Sequence, residues 1–378
     1  MVRLLHVVTG LGGGGAETML ARLSAALPRP EFEQQVLSLT EDGPIGARLR
    51  AADVPVATLG LRRAIDLPRG LAGLARAMRR FRPDVIQTWL VHADLLTGLV
   101  ARALGGAPVV WGVHQAGYDP ATTPRATRVA LALAARLSGV LPARVVSCAA
   151  AGRAARLAGG FPPGLIEVIP NGVDLDEFRP DAEACARLRG ELGIAPGAPV
   201  IGMPARWHVD KDHAVFTAAA REVLARVPDT RFVLCGADID ADNAELAALL
   251  TATGSPRAFS LLGFRADMAR VLPAFDIGVL ASRTEAFPNV VTETMAAGVP
   301  FVATAVGDVP EIIGATGRVV APRDPAALAA ALLDLLALPA DARVALGAAA
   351  RARVAEHFAL ATSVARYAAL YRALAARR

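Results

Sequence analysis

Short apolar runs alternate with longer helical stretches from one end of the chain to the other, and this rhythm limits what the chain can fold into. It is the pattern of βαβ units and of parallel sheets. In the first half, strands are expected at 3–9, 34–40, 54–59, 84–89, 109–114, 145–148 and 166–169. Helices are expected near 16–27, 68–81, 93–104, 124–138 and 150–158. Ile169-Pro170-Asn171-Gly172 breaks the pattern, and 173–199 reads as a charged, Pro-rich connection with room for one helix. The rhythm then restarts, with strands expected at 200–205, 231–235, 259–263, 277–281, 301–304 and 318–320. Helices follow near 212–226, 243–252, 266–274, 290–297 and 325–337, then 341–357 and 361–377. The fold class is therefore α/β, with two doubly wound domains at 1–172 and 200–360, and a C-terminal helix at 361–378 that can return to the first domain. Open α/β sheets bind ligands beyond the carboxyl ends of their strands, so function belongs in the loops that follow strands.

The 378 residues are 54% hydrophobic and 20% charged, enough apolar material for two cores and too much for a disordered chain. No apolar run approaches the ~20 residues that span a bilayer. The first fifteen residues read as a strand and a glycine turn rather than a leader. Cys148, Cys185 and Cys235 are widely spaced and odd in number, which indicates neither a disulfide framework nor a zinc site. A reduced, cytoplasmic protein is expected. Of the 40 basic residues, 39 are Arg and one is Lys211. Arg and Lys exchange freely on solvated surfaces but not where a compact ammonium is needed, which makes Lys211 a candidate for chemistry. Residues 1–175 hold 19 Arg against 12 acids, and the remainder holds 21 basic residues against 23 acids. The basic half points to an anionic partner.

Three loops carry candidate chemistry. The first runs through Gly10, Gly12, Gly13, Gly14 and Gly15, after a strand and before a helix, where glycine admits a ligand to the backbone and the helix start favours anions. Its match to a dinucleotide fingerprint is weak, because a run of four glycines satisfies many patterns, and the expected acidic partner comes late, at Glu41 or Asp42. The second loop holds Arg206 and Lys211, a fork-shaped donor and a point charge that together can neutralise a diphosphate. The third runs from Ser282 to Pro300, with Glu285 in the loop and Glu293 about one turn into the following helix. Carboxylates at such places suit ribose and hexose hydroxyls, and the helix start offers N–H groups to a phosphate.

Taken together, residues 282–300 resemble the Glu-x7-Glu signature of the family-4 retaining glycosyltransferases, whose fold is GT-B: two Rossmann-like domains facing a central cleft. Arg206 and Lys211 match that family's Arg-x4-Lys motif. The loop 12–17, Val113-His114 and the segment 169–174 resemble its other landmarks, in the right order from residue 3 to about 322. The resemblance implies a hexose-type transfer from a nucleoside-diphosphate sugar, UDP-linked in the first instance, to an acceptor hydroxyl, with the anomeric configuration retained. It implies that His114, Glu285, Arg206 and Lys211 carry catalysis. It also implies that Gly14, Gly15, Gly263, Phe264, Arg265, Phe287, Pro288, Asn289, Val290 and Glu293 complete the donor site, with Gly13 and His114 on the acceptor side; His92, at the end of a strand, is a further acceptor-side candidate. Ala286 and Asp212 depart from the family, which commonly has Gly at each.

No cofactor is expected beyond the donor substrate, and no metal. Asp-x-Asp occurs at Asp174/Asp176, Asp210/Asp212, Asp238/Asp240 and Asp240/Asp242, but acid-rich loops produce it readily and two fixed cations make a metal dispensable. His6 and Trp111 lie within strands and read as core. Arg62, Arg63, Arg69, Arg76, Arg79, Arg80 and Arg82 cluster on or beside one helix with an apolar stripe of Leu71, Leu74, Ala75 and Met78. Such a helix can lie on anionic lipid at the inner face of a membrane, with the acceptor lipid-linked, and a solvated face explains the pattern equally well. Nucleic acid is not expected, since no known binding module accompanies the charge. Two other readings are a nicotinamide oxidoreductase, resting on the glycine loop alone, and a non-catalytic sugar-nucleotide or glycan-binding protein of the same fold.

Overall fold

The computed structural model describes residues 1–117 and 123–377 and divides into two compact units. Unit 1 comprises Met1–Gly172 and Leu360–Arg378, and unit 2 comprises Val173–Ala359. Unit 1 runs β1 (Val2–Val8), α1 (Gly15–Ala26), β2 (Phe32–Ser38), α2 (Pro44–Ala51), β3 (Val56–Thr58), α3 (Leu67–Phe81), β4 (Val85–Trp89), α4 (Val91–Ala103), β5 (Val109–Val113), α5 (Arg125–Leu137), β6 (Arg144–Ser147), α6 (Ala150–Ala158) and β7 (Ile166–Val168). Unit 2 runs α7 (Ala182–Glu191), β8 (Val200–Pro204), α8 (His213–Arg226), β9 (Arg231–Cys235), α9 (Ala244–Ala252), β10 (Phe259–Leu261), α10 (Met268–Val271), β11 (Ile277–Leu280), α11 (Asn289–Ala296), β12 (Phe301–Thr304), α12 (Val309–Ile313), β13 (Gly317–Val320), α13 (Pro325–Leu336) and α14 (Ala340–His357). The last helix, α15 (Leu360–Ala375), belongs to unit 1.

Both sheets are parallel, with orders β3-β2-β1-β4-β5-β6-β7 and β10-β9-β8-β11-β12-β13. In each, the chain goes outward one way from the first strand and then crosses to its other side. That reversal leaves a crevice at the carboxyl ends of β1 and β4 in unit 1 and of β8 and β11 in unit 2. Helices cover both faces of the first sheet, so its strands are apolar on both sides. Along β1, Leu4 and Val8 pack with α1 and α15 residues, while Leu5 and Val7 pack with residues of α3 and α4 on the opposite face. The second sheet's largest cluster joins Ile201, Met203, Phe232 and Ile277 to Phe216 and Val223 of α8 and to Leu328 and Leu332 of α13.

Three expectations change. The segment 173–199 lies within the second unit: Asp181 caps α7, and Arg189 of that helix donates to the Ala274 carbonyl and pairs with Asp276 at 2.9 Å. Two short helices, α2 and α12, were not foreseen. Each has Pro in its first two positions, where the missing N–H is harmless; α12 is too short to show a period, and α2 shows one only in Ile45 and Leu49. The stretch 266–274 breaks into α10 and a 3-10 turn because Pro273 interrupts it.

Candidate active site

Every site residue named above follows a strand's carboxyl end. Arg206 and Lys211 follow β8; Gly263, Phe264 and Arg265 follow β10; Glu285, Phe287, Pro288, Asn289, Val290 and Glu293 follow β11. In unit 1, Gly13, Gly14 and Gly15 follow β1, His92 follows β4 and His114 follows β5.

In unit 2 the loops after β8 and β11 flank the crevice and are tied together. Lys211 Nζ donates to Glu285 Oε1 at 2.5 Å, with both side chains mostly covered. Ser282 Oγ donates to the same oxygen at 2.7 Å, and the Ser282 carbonyl accepts from Thr304 Oγ1 at 2.7 Å. The carboxylate is thus held from two sides. Arg206 is exposed, and among the described residues its guanidinium has no carboxylate partner. Lys211 ends a 3-10 turn, Val209–Lys211, and Asp212 then takes a left-handed conformation (φ 50°, ψ 53°) that starts α8. A non-glycine residue there costs on the order of 1 kcal/mol, which explains why glycine suits the position. The Asp212 side chain is buried and receives both arms of the Arg283 guanidinium, at 2.6 and 2.9 Å. The other departure, Ala286, is buried in a backbone conformation that does not require glycine.

Glu293 is buried on α11, and Phe287 meets Phe358 edge-on at 5.5 Å. Pro288 precedes α11, whose first turn carries no acid to compete for its N–H groups. On the third loop, the Gly263 carbonyl accepts from Gly236 N–H at 2.8 Å and its N–H donates to the Ile239 carbonyl at 2.9 Å. Phe264 is exposed beside this anchored turn, and Arg265 is held by both oxygens of Asp267. The Asp-x-Asp pairs do local work. Asp174 Oδ1 accepts from the N–H groups of Asp176 and Glu177, Asp240 Oδ1 from that of Asp242, and Asp212 is committed to Arg283.

In unit 1, His114 stacks on Trp89 with ring centroids 5.0 Å apart. Neither ring nitrogen has a partner among the described residues, and burial lowers its pKa to about 4, so the ring is neutral at ordinary pH. Trp89 Nε1–H donates to His6 Nδ1 at 3.3 Å, which leaves the His6 proton on Nε2, 3.3 Å from Gln34 Oε1; Gln34 Nε2 then donates to the Ser24 carbonyl. His6 is a core residue, as is Trp111. His92 lies in the first turn of α4, where Nε2 contacts Thr127 Oγ1 at 3.2 Å and burial lowers its pKa.

Some supporting residues were not legible. Gly307 is one: a Cβ there would sit 2.4 Å from the Glu285 carbonyl oxygen. Gly236 is another, since a Cβ would come within 2.6 Å of the Arg206 nitrogen. Both glycines let a neighbouring strand end back the site closely, and nothing local in the sequence announces that.

Comparison with known proteins decides the family. Residues 198–338 match the model described as glycosyl transferases group 1, and 13–177 match glycosyltransferase family 4. The 2-deoxystreptamine N-acetyl-D-glucosaminyltransferase of Streptomyces fradiae is 30% identical over 85% of this chain and 82% of its own length. The chain is a family-4 (group 1) glycosyltransferase. This hexosyltransferase-type enzyme is also 25% identical to the UDP-Gal:alpha-D-GlcNAc-diphosphoundecaprenol alpha-1,3-galactosyltransferase of Escherichia coli, over 79% of this chain and 78% of that one. Its fold is GT-B, like that of Anabaena Alr3699/HepE solved with UDP-glucose (TM-score 0.87, 22% identity, 99% of this chain and 100% of that one). The family leaves no place for a nicotinamide oxidoreductase.

Proposed function

We propose that the enzyme moves a hexose-type sugar from a nucleoside diphosphate, UDP in the first instance, to an acceptor hydroxyl with retention at the anomeric carbon and without a metal. The observation that carries this reading is the contact between Lys211 and Glu285 at the crevice of the second sheet. A nucleotide sugar presents an anion and a hydroxyl-rich ring side by side, and here a cation and an accepting carboxylate adjoin in the same way. Arg206 and Lys211 take the diphosphate. Negative charge grows on it as the bond to the sugar breaks, so fixed cations stabilise the transition state more than the bound donor. Glu293 holds the ribose hydroxyls, Glu285 the transferred sugar, and the start of α11 from Phe287 to Val290 offers backbone groups to both. Gly263, Phe264 and Arg265 lie along the base. Gly14 and Gly15 are assigned to the donor, and Gly13 and His114 to the acceptor side with His114 reaching the transferred sugar, on the resemblance alone; His92 is assigned to the acceptor side from its place after β4.

The two cations supply the charge compensation that a divalent ion would give. Retention follows when nucleotide departure and attack use one face of the sugar, with no protein nucleophile. The E. coli relative's name gives a lipid-linked diphosphate acceptor, and HepE was solved with UDP-glucose; both favour the same classes here. The basic outer face of α3 fits an enzyme working at an anionic membrane surface. The test is nucleotide release from a panel of UDP- and GDP-sugars in excess EDTA, with the product anomer read by NMR. A UDP-sugar consumed at full rate, with retention, is expected. Dependence on added magnesium or manganese, an inverted product, or release of GDP alone would each sink the corresponding part.

A further inference from the structure

The Asp212–Arg283 pair reaches beyond the donor contacts just assigned, though it rests on that reading of Lys211. The loop after β8 and the loop after β11 meet at three places. Arg283 N–H donates to the Asp210 carbonyl at 2.7 Å, the Arg283 guanidinium forks onto Asp212, and Lys211 donates to Glu285. Lys211 is therefore bracketed, with its neighbour on each side bonded to the residue two before Glu285. Asp212 is buried, and its left-handed backbone sets the turn from Lys211 into α8. A guanidinium whose Nε and Nη2 arms both serve Asp212 has that edge committed.

We infer that Arg283 and Asp212 are positioning residues, which act on the donor diphosphate only through Lys211. The pair spans the crevice and fixes both the height of the ammonium and its distance from Glu285. It makes the turn a charged cross-link, in which an aspartate in the left-handed conformation is held by the opposite loop.

A double-mutant cycle with UDP as the probe, measured by calorimetry well below each variant's melting temperature, tests this. Lys211→Ala is expected to weaken UDP at least tenfold and Arg283→Gln about fivefold. The combined variant should bind within twofold of Lys211→Ala alone. Asp212→Asn, which tolerates the left-handed turn but loses the charge, should behave like Arg283→Gln. Combined with Glu293→Ala, Arg283→Gln should instead multiply the losses; a general collapse of the site would not, because it would mask both partners. If the Lys211 and Arg283 losses multiply, Arg283 acts independently and the inference falls while the donor site stands. If Lys211→Ala leaves UDP affinity unchanged, the donor site itself is wrong and the inference falls with it.

Discussion

Asp94 is a buried carboxyl on α4, where its Oδ1 accepts from Thr88 Oγ1 at 2.6 Å and from the Gly112 N–H at 3.3 Å. Burial outweighs these bonds and the field of Arg156, and raises its pKa from 3.8 to about 7. The folded chain thus keeps a proton that the unfolded chain releases above about pH 4. Stability falls as pH rises through that window, and the full loss, at most about 4 kcal/mol, is present above pH 7. Asp94→Asn offers the same acceptor without the charge. Its melting temperature should exceed that of the wild type at pH 8, and the gap should shrink to a small part of that at pH 4.5. His6, His114 and His213, each lowered to about 4 chiefly by burial, work the other way, adding stability as pH rises from about 4 to 6.5. They are common to both proteins, so the difference isolates Asp94; an equal gap at both pH values would show that Asp94 does not titrate there. At this scale the sequence was uneven. Lys211 and Glu285 stood out by rarity and spacing, whereas Asp94 and Arg283 did not, and Asp212 showed only as a departure from the family, since their meaning lies in partners far along the chain.

Helix α15 closes unit 1 from the far end of the sequence. Tyr367 lies with its ring 6.5 Å from Trp89, the ring that His114 stacks on, and Tyr371 O–H donates to Gln87 Oε1 at 3.1 Å. Tyr371 also meets Phe32 edge-on, and Val364, Ala368 and Leu374 join the same core. Ser363 Oγ donates to the Pro170 carbonyl, pinning the start of the helix to the segment where the chain leaves unit 1. Tyr371→Ala should lower the urea stability of unit 1 by about 3–5 kcal/mol, through the cavity it leaves. Tyr371→Phe, which loses only the hydrogen bond, should lower it by about 1 kcal/mol. Trp89 and Trp111 report the transition. An unchanged midpoint for Tyr371→Ala would mean that α15 stands outside the cooperative unit. The stripe of Val364, Tyr367, Ala368 and Tyr371 marks a buried face in the sequence, but a stripe does not say which surface it meets. Strands were legible because parallel strands buried on both sides read as unbroken apolar runs. α12, five residues long, carries no helical period, and in α2 only Ile45 and Leu49 mark one, while Pro44 and Gly46 read as loop.

For the whole molecule, charge is the property that sequence reading reaches most directly, because it needs no partner to be counted. The basic excess of the first half is carried largely by one surface. Arg62, Arg63, Arg69, Arg76, Arg79, Arg80 and Arg82 are all exposed, while α3 turns Leu74 and Met78 into the core. Asp66 is the one acid of that stretch: its carboxylate accepts from the N–H groups of Arg62 and Arg63, which hold its pKa down. It stays ionised and offsets one charge of the seven arginines. Ile65 stands exposed at the tip of the same turn, with Leu67 beside it, so the patch offers apolar contact as well as charge. Among the described residues no single helix is long and apolar enough to cross a membrane. The bent pair α13 and α14 passes that test only jointly, and it buries Leu328, Leu332 and Leu335 in the core of unit 2. The exposed arginines of α3 and the turn before it make electrostatic attraction the main contribution to any attachment there, with Ile65 and Leu67 adding apolar contact. Each basic residue near an anionic bilayer contributes about 1 kcal/mol, so changing Arg76, Arg79 and Arg80 together to Gln should weaken vesicle binding roughly a hundredfold. The screening length is about 10 Å at 0.1 M salt and about 3 Å at 1 M, so binding by the unchanged protein should fade over that range. Sedimentation with phosphatidylcholine vesicles, with and without phosphatidylserine, measures this. Equal retention on the two vesicle types would leave the arginines as a solvated face and remove the membrane from the account of the acceptor, while the proposed donor site in unit 2 would be untouched.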